Sequence, residues 1–194
     1  MPFGKRTKTN KVKKGSLVIS VHGDKAKRKL YHLLQETGEQ RYLRLKTYLA
    51  NSDIMIFRLL ESSSVARMNQ VALSLEATQL VSEMIIQTHK LDIVGEFLQH
   101  AGIPRIVILS RKIGAINLSD FLKECNDAKL AGTLIRAPTK SANVLAFFMA
   151  CNNGRMAAAV LKRFGLEKCL HLINANSPER ISKKIDELYG KPAI

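Results

Sequence analysis

Ser64–Thr88 reads SVARMNQVALSLEATQLVSEMIIQT, a stretch with no glycine or proline, entered through the serines at 62–64. Val65, Met68, Ala72 and Leu75 fall on one helical face, and Leu73, Leu80 and Met84 on a neighbouring one. That spacing predicts one long, largely buried helix. Its length would cross a bilayer. Arg67, Glu76 and Glu83 argue against that, because a charge at the centre of a span costs about 3 kcal/mol. The stretch therefore reads as a core helix of a water-soluble, mainly α fold.

On the N-terminal side, Ser16–Val21 (SLVISV) is a β-branched run between Gly15 and the His22-Gly23-Asp24 turn, and predicts a short strand. Asp24 caps an expected helix to about Glu36, and a second helix follows over Glu39–Ala50. Asp53 is expected to cap a short helix before the long one. On the C-terminal side, Arg105–Ser110 (RIVILS) predicts a second strand, able to pair with the first in a two-stranded ribbon. The passages at 16–36 and 104–124 share a loose strand–connector–helix echo. Asn117 with Asp120 resembles a capping box opening a helix to about Leu130. Gly165 should stop a helix begun at Arg155, and Ser177-Pro178-Glu179 should open the last one. The expected organisation is a basic flexible arm at 1–14 and an N-terminal helical domain with two short strands at 15–137. A C-terminal helical domain at 138–194 follows, entered through APTKS and capped at Ser141. The fold class is mainly α, with two helical subdomains and at most a short two-stranded ribbon.

Charge is distributed unevenly along the chain. Residues 1–50 carry 13 Lys/Arg against 3 acids, residues 51–139 carry 9 against 9, and residues 140–194 carry 9 against 4. The excess of +15 thus sits at the two ends around a balanced middle. Basic ends attract polyanions, either nucleic-acid phosphates or acidic lipid headgroups. The candidate binding residues are Lys5, Arg6, Lys8, Lys11, Lys13 and Lys14 in the arm, then Lys25, Lys27, Arg28 and Lys29 in the next helix's first turn. The helix dipole disfavours cations in that turn, so folding alone does not explain them. Arg41 and Arg44 follow, and Lys162, Arg163, Lys183 and Lys184 form a second set.

No phosphate loop, HExxH or GxSxG motif stands in the sequence, and no aromatic RNA-recognition pair or zinc knuckle. Cys125, Cys151 and Cys169 are widely spaced and read as buried free thiols in a reducing, intracellular compartment. No secretory leader is expected, because no apolar run follows the basic N-terminus. His89, Asp92, Glu96 and His100 fall roughly on one helical face but lack the donors of a metal site. The expectation is no catalysis, no metal and no cofactor.

Leu145-Ala146-Phe147-Phe148-Met149, Arg155-Met156-Ala157-Ala158 and Phe164-Gly165-Leu166 with Cys169 resemble the middle-domain helices of orthomyxovirus matrix proteins. In that family Leu-Ala-x-x-Met, Arg-Met and Phe-Gly-Leu phrases stand at nearly the same distances. The family's Cys/His cluster has no counterpart beyond Cys169 and His171, and its basic helix is not recovered residue by residue. The resemblance implies a small helical, positively charged virion protein without enzymatic chemistry. The expected partners are an acidic phospholipid surface, RNA in a ribonucleoprotein, or both, together with further copies of the chain, and no small-molecule substrate. A sequence-nonspecific RNA-binding protein and a helical adaptor for protein partners are the alternatives.

Overall fold

A computed structural model describes Leu17, residues 19–137 and residues 140–189. The described residues form α1 (Asp24–Thr37), α2 (Glu39–Tyr48), α3 (Asp53–Ser62), α4 (Val65–Leu73), α5 (Leu75–Thr88) and α6 (Leu91–Ala101). They continue with α7 (Ile103–Ile113), α8 (Ala115–Cys125), α9 (Ala128–Arg136), α10 (Ser141–Ala150), α11 (Gly154–Ala175) and α12 (Pro178–Tyr189). The mainly α class is as expected. The arm at 1–14 lies outside the described residues.

The long helix expected at 64–88 is two. Ser74 adopts φ −113°, ψ 126° and ends α4, while its hydroxyl accepts the Ala77 N–H at 3.2 Å and starts α5. Thr78, fully buried, donates its hydroxyl proton across the corner toward the Val71 and Ser74 carbonyls, 3.0 and 2.9 Å away. RIVILS is also a correction, since it lies inside α7 rather than in a strand. Ile103, Ile106, Val107 and Leu109 are buried together on one side of that helix. The β-branched penalty in a helix is a few tenths of a kcal/mol, whereas burying one such side chain gains about 2 kcal/mol, so burial decides. With no strand among the described residues, the ribbon is not formed. Residues 19–21 belong to no helix or strand, and Ser16 and Val18 are not described.

Several helix starts shift. Gly23 precedes α1, Ser52 caps α3 through Met55 N–H and Lys140 precedes α10, each one residue before the expected cap, whereas Gly114 precedes α8 and leaves Asn117 inside that helix, three residues on. Asn126 (φ 52°) and Asp127 end α8 and begin α9, inside what reads as one helix to Leu130. Gly165 (φ 78°, ψ 163°) kinks α11 where the sequence places a stop.

The architecture is a solenoid with three helices per turn. Each helix packs on the one three places on: α3 on α6 and α6 on α9, α5 on α8 and α8 on α11, α1 on α4 and α7 on α10. Counting the arms of α11 on either side of Gly165 separately, α12 follows α10 by the same rule. Helices in the third position begin at 53, 91, 128 and 166, a period of 37–38 residues. The same positions are buried in each: Ile56, Val94, Ala131 and Cys169, then Leu60, Leu98, Ile135 and Ile173. The echo between 16–36 and 104–124 has a different offset and is not this repeat. Gly95 and Gly132 occupy one repeat position, where helices come close. A Cβ there would lie 2.0 Å from Ser62 Oγ or 2.5 Å from His100 Cβ. The core runs continuously past residues 138–139, because α10 and α11 pack on α7 and α8.

Candidate polyanion-binding surface

A quasi-one-dimensional fold lays sequence order out in space, so charge concentrated at the chain's ends becomes charge at the ends of the solenoid. At the first end, Ala26, Leu30, Leu33 and Thr37 bury one side of α1. Lys25 and Lys29 flank that side. Lys25 Nζ lies 3.4 Å from Glu61 Oε1, and Lys29 Nζ stands 5.9 Å from the centre of the Phe57 ring. Lys27 and Arg28 point away from the core beside Tyr31, which is 48% exposed. Arg41, exposed at the start of α2, extends the same end. Among the described residues, Lys27, Arg28 and Arg41 have no acidic partner.

Arg44 is used differently from the rest. Its guanidinium reaches from α2 to the Ala72 carbonyl at the end of α4, and its Nε is buried without a partner. It fastens the corner at Ser74 and does not face solvent with Arg41. Lys46 is likewise internal, 2.8 Å from Asp53 Oδ2. Asp53, only 3% exposed, also accepts the Tyr42 hydroxyl at 2.9 Å and the Ser20 N–H at 2.8 Å. Burial alone would raise its pKa, but Lys46, Ser20 and Tyr42 together hold the carboxyl below the ordinary carboxylate value. Burial and the neighbouring carboxylate push the Tyr42 phenol far up. This closed network tethers the segment at 19–21 to the α2–α3 corner, and it has no open face for a substrate.

At the other end, Lys162 and Arg163 are exposed on α11 and Lys183 and Lys184 on α12. Lys183 lies 3.9 Å from Glu187, and Arg163 stands over the Phe164 ring. Lys184 lines a groove of about 400 Å³ between α11 and α12, together with Lys168, which is not among the candidates read from the sequence. The signal for Lys168 was its place four residues after Phe164 and four before Leu172, beside the apolar side of the helix.

Among the described residues, no group of three or more His, Cys, Asp or Glu is gathered as a metal site would need. His89 closes α5 in the left-handed conformation, and His100 packs against Gly132. The three cysteines are free and buried. Burial raises all three thiols, Cys151 to about 12 and Cys169 to about 11, so neither of these two is a thiolate near neutral pH. No single described helix is long and apolar enough to cross a membrane. The pair α10 and α11 meets the length and composition criteria only across a bend of 102°. No family model, curated protein or solved structure matches the chain.

Proposed function

We propose that the protein is a non-enzymatic, basic assembly protein of the viral-matrix kind, which docks on a polyanionic surface through the ends of its solenoid and self-associates along its neutral middle. The observation that carries this reading is the outer face of α1 on the first turn of the solenoid, where Lys27 and Arg28 are exposed beside Tyr31 with no acidic partner among the described residues, and Arg41 is exposed at the start of α2. The six cations of residues 5–14 precede that turn in the sequence. Each Lys or Arg held near an anionic membrane contributes about 1 kcal/mol, so a handful suffices for peripheral binding. An exposed tyrosine among them suits either a headgroup layer or the face of an unstacked base.

Self-association is supported by an apolar edge. Leu73 and Leu75 at the α4–α5 corner, Ile116 at the start of α8, and Met149 and Met156 at the α10–α11 corner are 36–62% exposed. The Glu76–Arg111 ion pair joins the first corner to the second, and a pocket lined by Ile113, Asn117, Phe148 and Met149 joins the second to the third. The test is flotation of the full chain with phosphatidylserine vesicles, with and without added RNA, at two salt concentrations. Flotation that survives RNA competition supports the membrane form, and retention on RNA alone supports the ribonucleoprotein form. Binding to neither rejects the proposal in favour of a helical-repeat adaptor, a reading that the three-helix repeat itself favours.

A further inference from the structure

The interior of the solenoid shows what a helix seat looks like. Residues 154–164 of α11 lie over α8, with α9 and α10 alongside. Phe121 and Cys125 of α8, Ala131 and Leu134 of α9, and Phe147 and Cys151 at the end of α10 are all buried, none more than 4% exposed. Advancing each of these by one repeat gives Val160, Phe164, Cys169, Leu172, Lys184 and Leu188. Those six residues line the open groove of about 400 Å³ at the C-terminal end. The groove is therefore the seat of the next helix in the series, and among the described residues no helix covers it. Leu188, where the interior seat has the buried Cys151, is 47% exposed.

The substitutions between the two seats specify the occupant. Lys184 stands where the interior seat has Phe147, and Lys168 where it has Leu130. Neither lysine has an acidic partner among the described residues, while Glu187 on the rim lies 3.9 Å from Lys183. An apolar floor between two unpaired cations asks for a helix with apolar residues on one side and carboxylates flanking them. The sequence at 190–194, GKPAI, has a lysine, a proline and no acid. The first turn of a second copy would bring Lys27, Arg28 and Arg41 against like charge. We propose that the groove between α11 and α12 binds an acidic amphipathic helix of a partner protein, seated as the next helix of the solenoid.

The probe is a fluorescein-labelled peptide copying residues 153–164 with Arg155→Glu, Lys162→Glu and Arg163→Glu. It keeps the apolar face that fills the interior seat and gives it an acidic rim. Fluorescence anisotropy with the full chain should show this peptide binding at least about tenfold more tightly than the unaltered basic peptide. A Lys168→Glu/Lys184→Glu chain should reverse that order, which separates the groove from the basic face of α1. Leu188→Glu, at an exposed position, should weaken the acidic peptide by about tenfold or more with the circular dichroism spectrum unchanged. Equal binding of the two peptides, or acidic-peptide binding that survives both chain variants, overturns the proposal. So does light scattering that shows a dimer of the unaltered chain dissolved by Leu188→Glu, because the occupant would then be a second copy.

Discussion

Asp53 accepts three hydrogen bonds in a site almost closed to water, and among the described residues Lys46 is the cation paired with it. Breaking such a pair strands a buried cation, at a cost of about 3 kcal/mol. Asp53→Asn should lose about that much at neutral pH in urea unfolding. The folded carboxyl titrates below the unfolded value of about 3.9, so its contribution is full above that pH and fades as pH falls through the folded pKa. Wild-type and variant stabilities should therefore converge on acidification below about pH 4. Gly132 is the second residue with a clear expectation. An alanine gains about 1 kcal/mol of helix propensity, but its Cβ would sit 2.5 Å from His100 Cβ and 2.9 Å from the Ala101 nitrogen. A backbone atom cannot swing aside, and overpacking costs about 1–3 kcal/mol. Gly132→Ala should come out net destabilised in the same measurement.

At the scale of elements, the corner at Ser74 joins α4 to α5 with a single residue. Ser74→Ala removes the cap and should cost about 1 kcal/mol, read as a lower urea midpoint with an unchanged slope. The sequence showed apolar periodicity across 64–88 but not the break, because Ser74 interrupts no face. Leu73 and Leu75 fit a helix pattern, yet both are about half exposed at the corner. Glycine and proline were read correctly where they act locally, at Gly165 and at Ser177-Pro178-Glu179. RIVILS was misread because β-branched residues carry a local preference that tertiary burial overrides. The repeat escaped detection for a related reason. Position by position it preserves burial and not identity, with Ile56, Val94, Ala131 and Cys169 filling one site in turn. Among the candidate binding residues, charge alone found the cations of α1, but it could not show that Arg44 faces inward to a carbonyl.

For the whole molecule, the proposed activity depends on cations at the two ends of the helical stack. Lys27→Glu with Arg28→Glu should weaken binding to phosphatidylserine vesicles or RNA. It should also lower the salt dependence of RNA binding by about one unit of slope for each phosphate no longer neutralised, checked by titration over a range of salt. Leu75→Glu with Ile116→Glu should reduce the self-associated fraction in light scattering and leave vesicle binding in place. The two pairs of variants thus assign docking and assembly to different parts of the surface.

The solenoid has a mechanical consequence as well. A turn in the middle of the stack leans on a neighbour at each side, whereas the first and last turns have only one. Amide exchange should therefore be slowest in α8 and quicken outward, fastest in α1 and α12, with opening that begins at the tips and travels inward. A ligand gripping either tip would act as a clasp on the whole stack, slowing exchange in helices it never touches.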